Sequence, residues 1–239
     1  MDTIKFENKG HIKMIAHRGL SGLERENTNA AFVAAGVRSY YGIETDVHIT
    51  KDGKIIVVHD NNLTRVANLD MVVEESTFDE LRAVRMTDID GTPRADLCLP
   101  SLEEYLHICK KYDKQAVLEL KNPMPEEKVW EIAAIAEKLG WFDRVTFISF
   151  ASENLVALRQ KYPNASAQLL RGKVTEETIR FVIDNRLDAD FDGYAVNKEV
   201  VKRLHDEGLK VNCWTLDTLA LAERAKAAGV DFITTNILE

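Results

Sequence analysis

The sequence predicts an α/β fold: a closed (β/α)8 TIM barrel with a β-hairpin and a small insertion at its C-terminal rim, in a single domain over residues 1–239. Three observations point there. Short apolar or β-branched runs alternate with amphipathic stripes over short links, the pattern of parallel strands covered by helices. The helix-linked runs number eight, the count that closes such a barrel. Acids, imidazoles and cations gather where those runs end, the edge at which barrel enzymes work.

The first strand is 12–16, running into His17-Arg18-Gly19. Asn27 or Thr28 caps a helix with Ala31, Phe32 and Ala35 on one face. The second strand is 43–47, and only Lys51-Asp52-Gly53-Lys54 lies between its end and the apolar run 55–58. No helix fits there, so the pair is a hairpin, the second strand overshooting the rim and folding back. Residues 60–100 are the one irregular stretch between barrel elements, with a short helix at 78–85 and a turn at Gly91-Thr92-Pro93. They read as a rim insertion without a core of its own. Ser101-Leu102-Glu103-Glu104 is a capping box, backed by the stripe Leu102, Tyr105, Leu106 and Cys109. The third strand is 117–120. Pro125 opens a helix with Val129, Ile132, Ala133 and Ala136 inward, and Gly140 stops it. Strands at 145–150, 167–170, 191–196, 211–215 and 231–235 complete the eight. The helices between them begin at Ser152 (Leu155, Val156, Leu158 inward), Thr175 (Ile179, Val182, Ile183) and Asn197 (Val200, Val201, Leu204, closed by Gly208). A last stripe, Leu219, Ala222, Ala225 and Ala228, precedes Gly229. An open doubly wound sheet is the competing architecture, but no GxGxxG or GKS/T loop supports one.

Bulk composition narrows the function classes. Net charge is −8, and no Arg/Lys stripe marks a nucleic-acid surface. A phosphate substrate stays open, since one local cation can reverse the field at a site. Cys98, Cys109 and Cys213 have neither metal nor disulfide spacing, which suggests a reducing compartment. Residues 1–7 lack the apolar core of a signal peptide, and no apolar run approaches the roughly 18 residues of a membrane helix. A cytoplasmic protein without stable membrane insertion is the expectation.

The chemistry concentrates at the strand ends. Glu44 and Asp46 stand two apart on one strand and point the same way, with Thr45 opposed. Glu119 ends the third strand, and Lys121 shares its face. Three carboxylates at one mouth repel unless something positive sits between them, and a hard divalent cation, Mg²⁺ or Ca²⁺, suits all-oxygen ligands. The alternative is rim acids paired with Lys or Arg. His17 and His59 leave separate strand ends, where imidazoles can take or give a proton near neutral pH. His48 lies beyond Asp46 on the hairpin and can share its face, whereas His107 reads as a surface residue of a helix, and His11 and His205 fall outside the site. Arg18 offers a fork for phosphate oxygens or a salt bridge to Glu44. Trp214 and Phe150, at two strand ends, are candidate cleft walls or core aromatics. Ser149 and Ser152 lack a GxSxG elbow, which argues against a serine nucleophile.

In this order the motifs resemble the glycerophosphodiester phosphodiesterase family, over nearly the whole chain. The resemblance rests on His17-Arg18-Gly19, Glu26-Asn27-Thr28 with Ala31-Phe32, Ile43-Glu44-Thr45-Asp46-Val47, Thr50-Lys51-Asp52-Gly53 and His59-Asp60. It continues through Leu118-Glu119-Leu120-Lys121, Ser149-Phe150, Trp214-Thr215 and Ile233-Thr234-Thr235-Asn236. It implies a PLC-like phosphodiesterase barrel with one divalent cation, Mg²⁺ or Ca²⁺, on Glu44, Asp46 and Glu119. It implies His17 and His59 as the acid/base pair, and Arg18 and Lys121 on the phosphate. The implied reaction is hydrolysis of a small-molecule glycerophosphodiester to sn-glycerol 3-phosphate and an alcohol, by water or through a cyclic phosphate. Two departures stand out: Arg25 replaces the family's usual proline before Glu-Asn-Thr, and Ile237 replaces the one after the final asparagine. The competing readings are a lysophospholipase D or sphingomyelinase D-like enzyme, with Met71-Val72-Val73 and Phe78 as an acyl track, and a non-catalytic phosphodiester-binding module.

Overall fold

The computed structural model describes residues 2–239. Its strands are β1 (Lys13–Ala16), β2 (Gly42–Ile49), β3 (Ile55–Val57), β4 (Gln115–Leu120), β5 (Val145–Ser149), β6 (Ser166–Arg171), β7 (Asp188–Asp192), β8 (Val211–Trp214) and β9 (Phe232–Thr235). They form one sheet in the order β1-β9-β8-β7-β6-β5-β4-β2-β3, and β1 also pairs with β2. Eight parallel strands therefore close on themselves, with Ala16 opposite both Ile43 and Thr235. The ninth, β3, lies antiparallel on the overshooting end of β2, Val47 facing Val57, which is the predicted hairpin.

The helices are α1 (Asn29–Gly36), α2 (Thr64–Ala67), α3 (Phe78–Ala83), α4 (Leu102–Lys111), α5 (Glu126–Lys138), α6 (Ser152–Lys161), α7 (Glu176–Asp184), α8 (Lys198–Asp206) and α9 (Leu219–Ala228). Their starts follow local chemistry. The Thr28 hydroxyl accepts from the Ala31 amide at 3.1 Å and so caps α1. Ser101 and Glu104 close the capping box of α4 in both directions, at 3.2 and 2.7 Å. After the hairpin, α2, α3 and the rim insertion intervene before α4 packs beside α1.

Strand alternation divides the apolar residues into two layers. Ile43, Val47, Leu118, Leu120, Phe147, Leu169, Phe191 and Ile233 belong to the large cluster under the helices. The opposite parity on these strands supplies Ile15, Val117, Ile148, Leu170 and Phe232, a smaller cluster inside the barrel. Phe32 and Tyr105 join α1 to α4, ring centroids 5.0 Å apart and edge to face. Burying each such ring contributes about 1.5–3 kcal/mol. The Tyr105 hydroxyl donates to the Ile43 carbonyl at 2.7 Å, so its burial leaves no orphan donor.

Four local expectations are corrected. The strand predicted at 191–196 is β7 at Asp188–Asp192. Its odd acids hid it, because Asp188, Asp190 and Asp192 alternate with the outward Ala189 and Phe191, and an apolar-run criterion slides past them. Val156 and Leu219, assigned inward, are 39% and 44% exposed. The insertion does have an apolar cluster of its own, Leu63, Val66, Val73, Leu81, Met86, Leu97 and Leu99, built on Ile56 and Val58 of the hairpin arm. Among the described residues, no helix is long and apolar enough to cross a membrane.

Candidate active site

The C-terminal mouth of the barrel holds a cleft of about 450 Å³, counted out to open solvent, bordered by His17, Arg18, Glu44, His59 and Glu119 on one side and by Phe150 and Trp214 on the other. The loop after β1 builds its charged edge. Arg18 takes a left-handed backbone (φ 54°), costly for a side chain-bearing residue. The turn is held because the Arg18 amide donates to Glu44 Oε2 at 2.7 Å and the Asn27 amide donates to the Arg18 carbonyl at 2.9 Å. Gly19 follows at φ 76°, and a Cβ there would stand 2.6 Å from the Ala31 carbonyl carbon, so this position admits glycine alone.

Glu44 and Asp46 on β2 and Glu119 on β4 each offer an oxygen within 4.8 Å of the others, all three side chains buried. Asp46 is tied by Asn27 Nδ2 at 2.8 Å, and Asn27 Oδ1 accepts from the Thr45 hydroxyl at 2.7 Å. Lys121 Nζ lies 2.8 Å from Glu119 Oε1 and 3.5 Å from Asp46 Oδ1. Neither oxygen has hydrogen-bond geometry with it or with any other donor, although both are buried. Lys121 neutralises part of their charge, and the lone pairs left over are ones a cation or a water can fill. Burial, then Asp46, pushes the Glu119 carboxyl up to about 8, and the same two causes raise Glu44 well above its ordinary value. Burial opposes the charge on Asp46 too, but Lys121 and Arg18 outweigh it and hold that carboxyl at about 2. Three oxygens this close, two of them on carboxyls whose charge is suppressed, suit a hard cation whose oxygen bonds run about 2.0–2.6 Å.

The two imidazoles border the same cleft from different elements. His17 Nδ1 sits 2.8 Å from Asn236 Oδ1, and the Asn236 amide nitrogen donates to Asp217 at 2.6 Å. That second bond fixes the amide with its oxygen toward His17, so Nδ1 carries the proton and Nε2 keeps its lone pair, 4.0 Å from Glu44. His59 Nδ1 lies 2.7 Å from Asp60 Oδ1. Burial opposes ionisation of Asp60, but Arg65 and His59 outweigh it and keep the carboxyl below its ordinary value. A carboxylate only accepts, so His59 likewise presents Nε2. Burial and then Arg18 hold His17 down to about 4, and burial lowers His59 as well.

Phe150 and Trp214 meet edge to face, centroids 5.7 Å apart, as the apolar wall. Lys121 and Asp46 do not border this cleft. Lys121 lines an adjoining depression with His59 and Glu119, and Asp46 lies beneath, fully buried. His48 turns away into the hairpin base, bonded to Glu74 at 3.0 Å and to the His59 carbonyl at 3.2 Å. Met71, Val73 and Phe78 of the candidate acyl track pack within the insertion's own cluster, and Val72 alone of the four is exposed, at 39%. Arg25 clamps the insertion through the Thr87 and Asp88 carbonyls, both at 2.5 Å. Sequence reasoning gave no role to Asn236, Asp217, Glu26, Arg65 or Asp190. The first and third sit inside quoted motifs, Asp190 inside a strand read three residues late, and Arg65 inside the insertion.

Comparisons with known proteins agree with the fold. The sequence model of the glycerophosphoryl diester phosphodiesterase family matches residues 17–239. A glycerophosphodiester phosphodiesterase of Caldanaerobacter subterraneus is 32% identical over 93% of each chain. One of Bacillus altitudinis is 30% identical over 94% of each. Among solved structures, an Oleispira antarctica phosphodiesterase in complex with the product sn-glycerol-3-phosphate superposes with a TM-score of 0.84 at 22% identity, covering 94% of this chain and 92% of that one, and it shares the fold.

Proposed function

This chain belongs to the glycerophosphoryl diester phosphodiesterase family, and from that premise we propose that it hydrolyses glycerophosphodiesters to sn-glycerol 3-phosphate and an alcohol. The observation that carries the reading is a cluster of three buried carboxylates within 4.8 Å of one another, Glu44 and Glu119 bordering the cleft and Asp46 beneath it, with two imidazoles on the border of the same cleft. Glu44, Asp46 and Glu119 would hold one divalent cation, Mg²⁺ or Ca²⁺. Bound there, it would offset charge on a nonbridging phosphate oxygen and lower the pKa of the attacking hydroxyl or water.

The chain's own groups do the rest. His17, held neutral down to about pH 4, is the base that takes the nucleophile's proton at Nε2. Asn236 keeps its ring in that tautomer, as orienting partners do for catalytic imidazoles. His59 first takes a proton from solvent at Nε2, Asp60 stabilises the imidazolium so formed, and that Nε2 proton then passes to the departing alkoxide. Arg18, on its constrained turn, meets the phosphate with a guanidinium fork. Lys121 is ion-paired directly with Glu119 and Asp46 and adds positive charge beside them for the phosphate. Phe150 and Trp214 give the substrate an apolar wall to lie against.

The test is product analysis on glycerophosphocholine beside lysophosphatidylcholine, each with and without added Mg²⁺ or Ca²⁺. Metal-dependent release of glycerol 3-phosphate and choline from the first substrate is the expected result. Preferential turnover of the lysolipid, or binding without release of either product, overturns it.

A further inference from the structure

Arg65 lies in the rim insertion, on α2, outside the cleft. Its Nε donates to Asp60 Oδ2 at 2.7 Å. Its two terminal nitrogens donate to both oxygens of Glu26, at 2.6 and 2.8 Å. Each of those carboxylates also holds a residue of the site. Asp60 Oδ1 accepts from His59 Nδ1 at 2.7 Å, and Glu26 Oε1 accepts from Arg18 Nη1 at 2.8 Å. His59, Asp60, Arg65, Glu26 and Arg18 thus form one unbroken chain, entering the cleft at both ends.

Resting on the functional reading above, we propose that Arg65 is a positioning residue: by clamping Glu26 and Asp60 together it fixes the His59 ring and the Arg18 fork relative to each other.

Stability is a poor reason for this arrangement. The Arg65 side chain is 46% exposed, and exposed ion pairs contribute about 0–1 kcal/mol. Geometry is a better one. A planar fork with fixed donor directions can bond two carboxylates at once, which an ammonium on a flexible stem cannot do in register. The left-handed backbone of Arg18 leaves its side chain stretched between Asp46, 3.5 Å from Nε, and Glu26. Without a second anchor, Glu26 is free to swing and to take the guanidinium with it. Displacements of about 1 Å at a reacting centre can cost about 10²-fold in rate.

The experiment compares R65A, R65K and R203A. Arg203 makes an equally close, two-pronged pair with Glu176 on the α7–α8 surface, 39% exposed, and controls for loss of an exposed ion pair. R65A should lower kcat on glycerophosphocholine about 10- to 100-fold, with a Tm within about 2 °C of wild type. R65K should be as impaired as R65A, and R203A should retain wild-type kcat. In an E26Q/D60N background, adding R65A should cost nothing further. Without substrate, ¹⁵N-histidine spectra should show His59 as one tautomer protonated at Nδ1 in the wild type and as a mixture in R65A. If R65A does not fold, R65Q takes its place in each measurement. A kcat within twofold of wild type for R65A, full recovery in R65K, losses that multiply with E26Q/D60N, or an unchanged His59 spectrum would each overturn the proposal. Absence of wild-type turnover would sink the hydrolase reading instead, and the tautomer spectra would still decide the role of Arg65.

Discussion

Replacing Glu119 by glutamine should stabilise the metal-free protein while ending its activity. The Glu119 carboxyl is pushed from its ordinary 4.5 up to about 8, so between those values the folded protein keeps a proton that the unfolded chain has released. The sign follows directly: this group's contribution is full below pH 4.5 and is lost as pH rises to 8. At pH 7 the span is 7 minus 4.5, and at 1.36 kcal/mol per unit the cost is about 3 kcal/mol. Asp46, held at about 2, is ionised on both sides of this window and does not cancel it. Glutamine keeps the shape and the reach to Lys121 but carries no charge. In EDTA, E119Q should match wild type near pH 5 and exceed it at pH 7–8 by roughly 6–12 °C in Tm, at about 2–4 °C per kcal/mol for a chain this long. Cation at about 100 times its Kd should add about 2.7 kcal/mol to wild type and little to the variant. Thermal and urea melts at pH 5 and 8, with and without EDTA, measure all of this. A variant less stable than wild type at pH 8, or a gap that does not change with pH, would refute the argument that crowding strains the site.

Other outcomes can be checked alongside. Either H17A or H59A should lower kcat by about 10²-fold or more, and steady-state kinetics within threefold of wild type would remove that imidazole from proton transfer. Chelation followed by dialysis should abolish turnover, and Mg²⁺ or Ca²⁺ should restore it; full activity with no retained metal by elemental analysis speaks against the carboxylate ligands. The Glu26 carboxyl is opposed by burial but held at about 2 by Arg65 and Arg18, so its stabilisation is present above pH 4.5 and fades as pH falls toward 2. E26Q should therefore flatten the acid limb of the Tm profile, by about 1 kcal/mol for a pairing that rests partly on an exposed guanidinium. If the neighbouring glycerol hydroxyl is the nucleophile, ³¹P NMR of early time points should reveal a cyclic phosphate; solvent ¹⁸O incorporated without it would assign direct attack by water.

The barrel was legible because alternation and capping are local properties. Glu44 and Asp46 share a face by strand geometry alone, and Ser101 with Glu104 announces a helix wherever it occurs. Their convergence with Glu119 follows from strand ends that share one barrel mouth, and electrostatics then asks for something positive between them. What the chain could not disclose depends on contacts across the fold. Asn236 orients His17 from 219 residues away, and nothing around either residue marks the pair. Asp190 was hidden because it breaks the apolar pattern of its strand. One of its oxygens is buried without a partner, and burial raises its carboxyl well above the ordinary range. The insertion was misjudged for another reason: its cluster borrows Ile56 and Val58 from the hairpin arm, so the irregular stretch alone looks too poor in apolar residues to pack.

That separately packed appendage bears on how such a chain can diversify. Its apolar interior is distinct from the barrel's, so most of its outer residues can drift, or be exchanged for those of a relative, without loosening the scaffold underneath. Four arginine staples restrain the drift: Arg25 to Thr87 and Asp88, Arg94 to Glu24, Arg65 to Glu26, and Arg82 to Glu104. A graft that keeps these would inherit a working mouth with a new lip, whereas one that discards them would leave the lip unmoored.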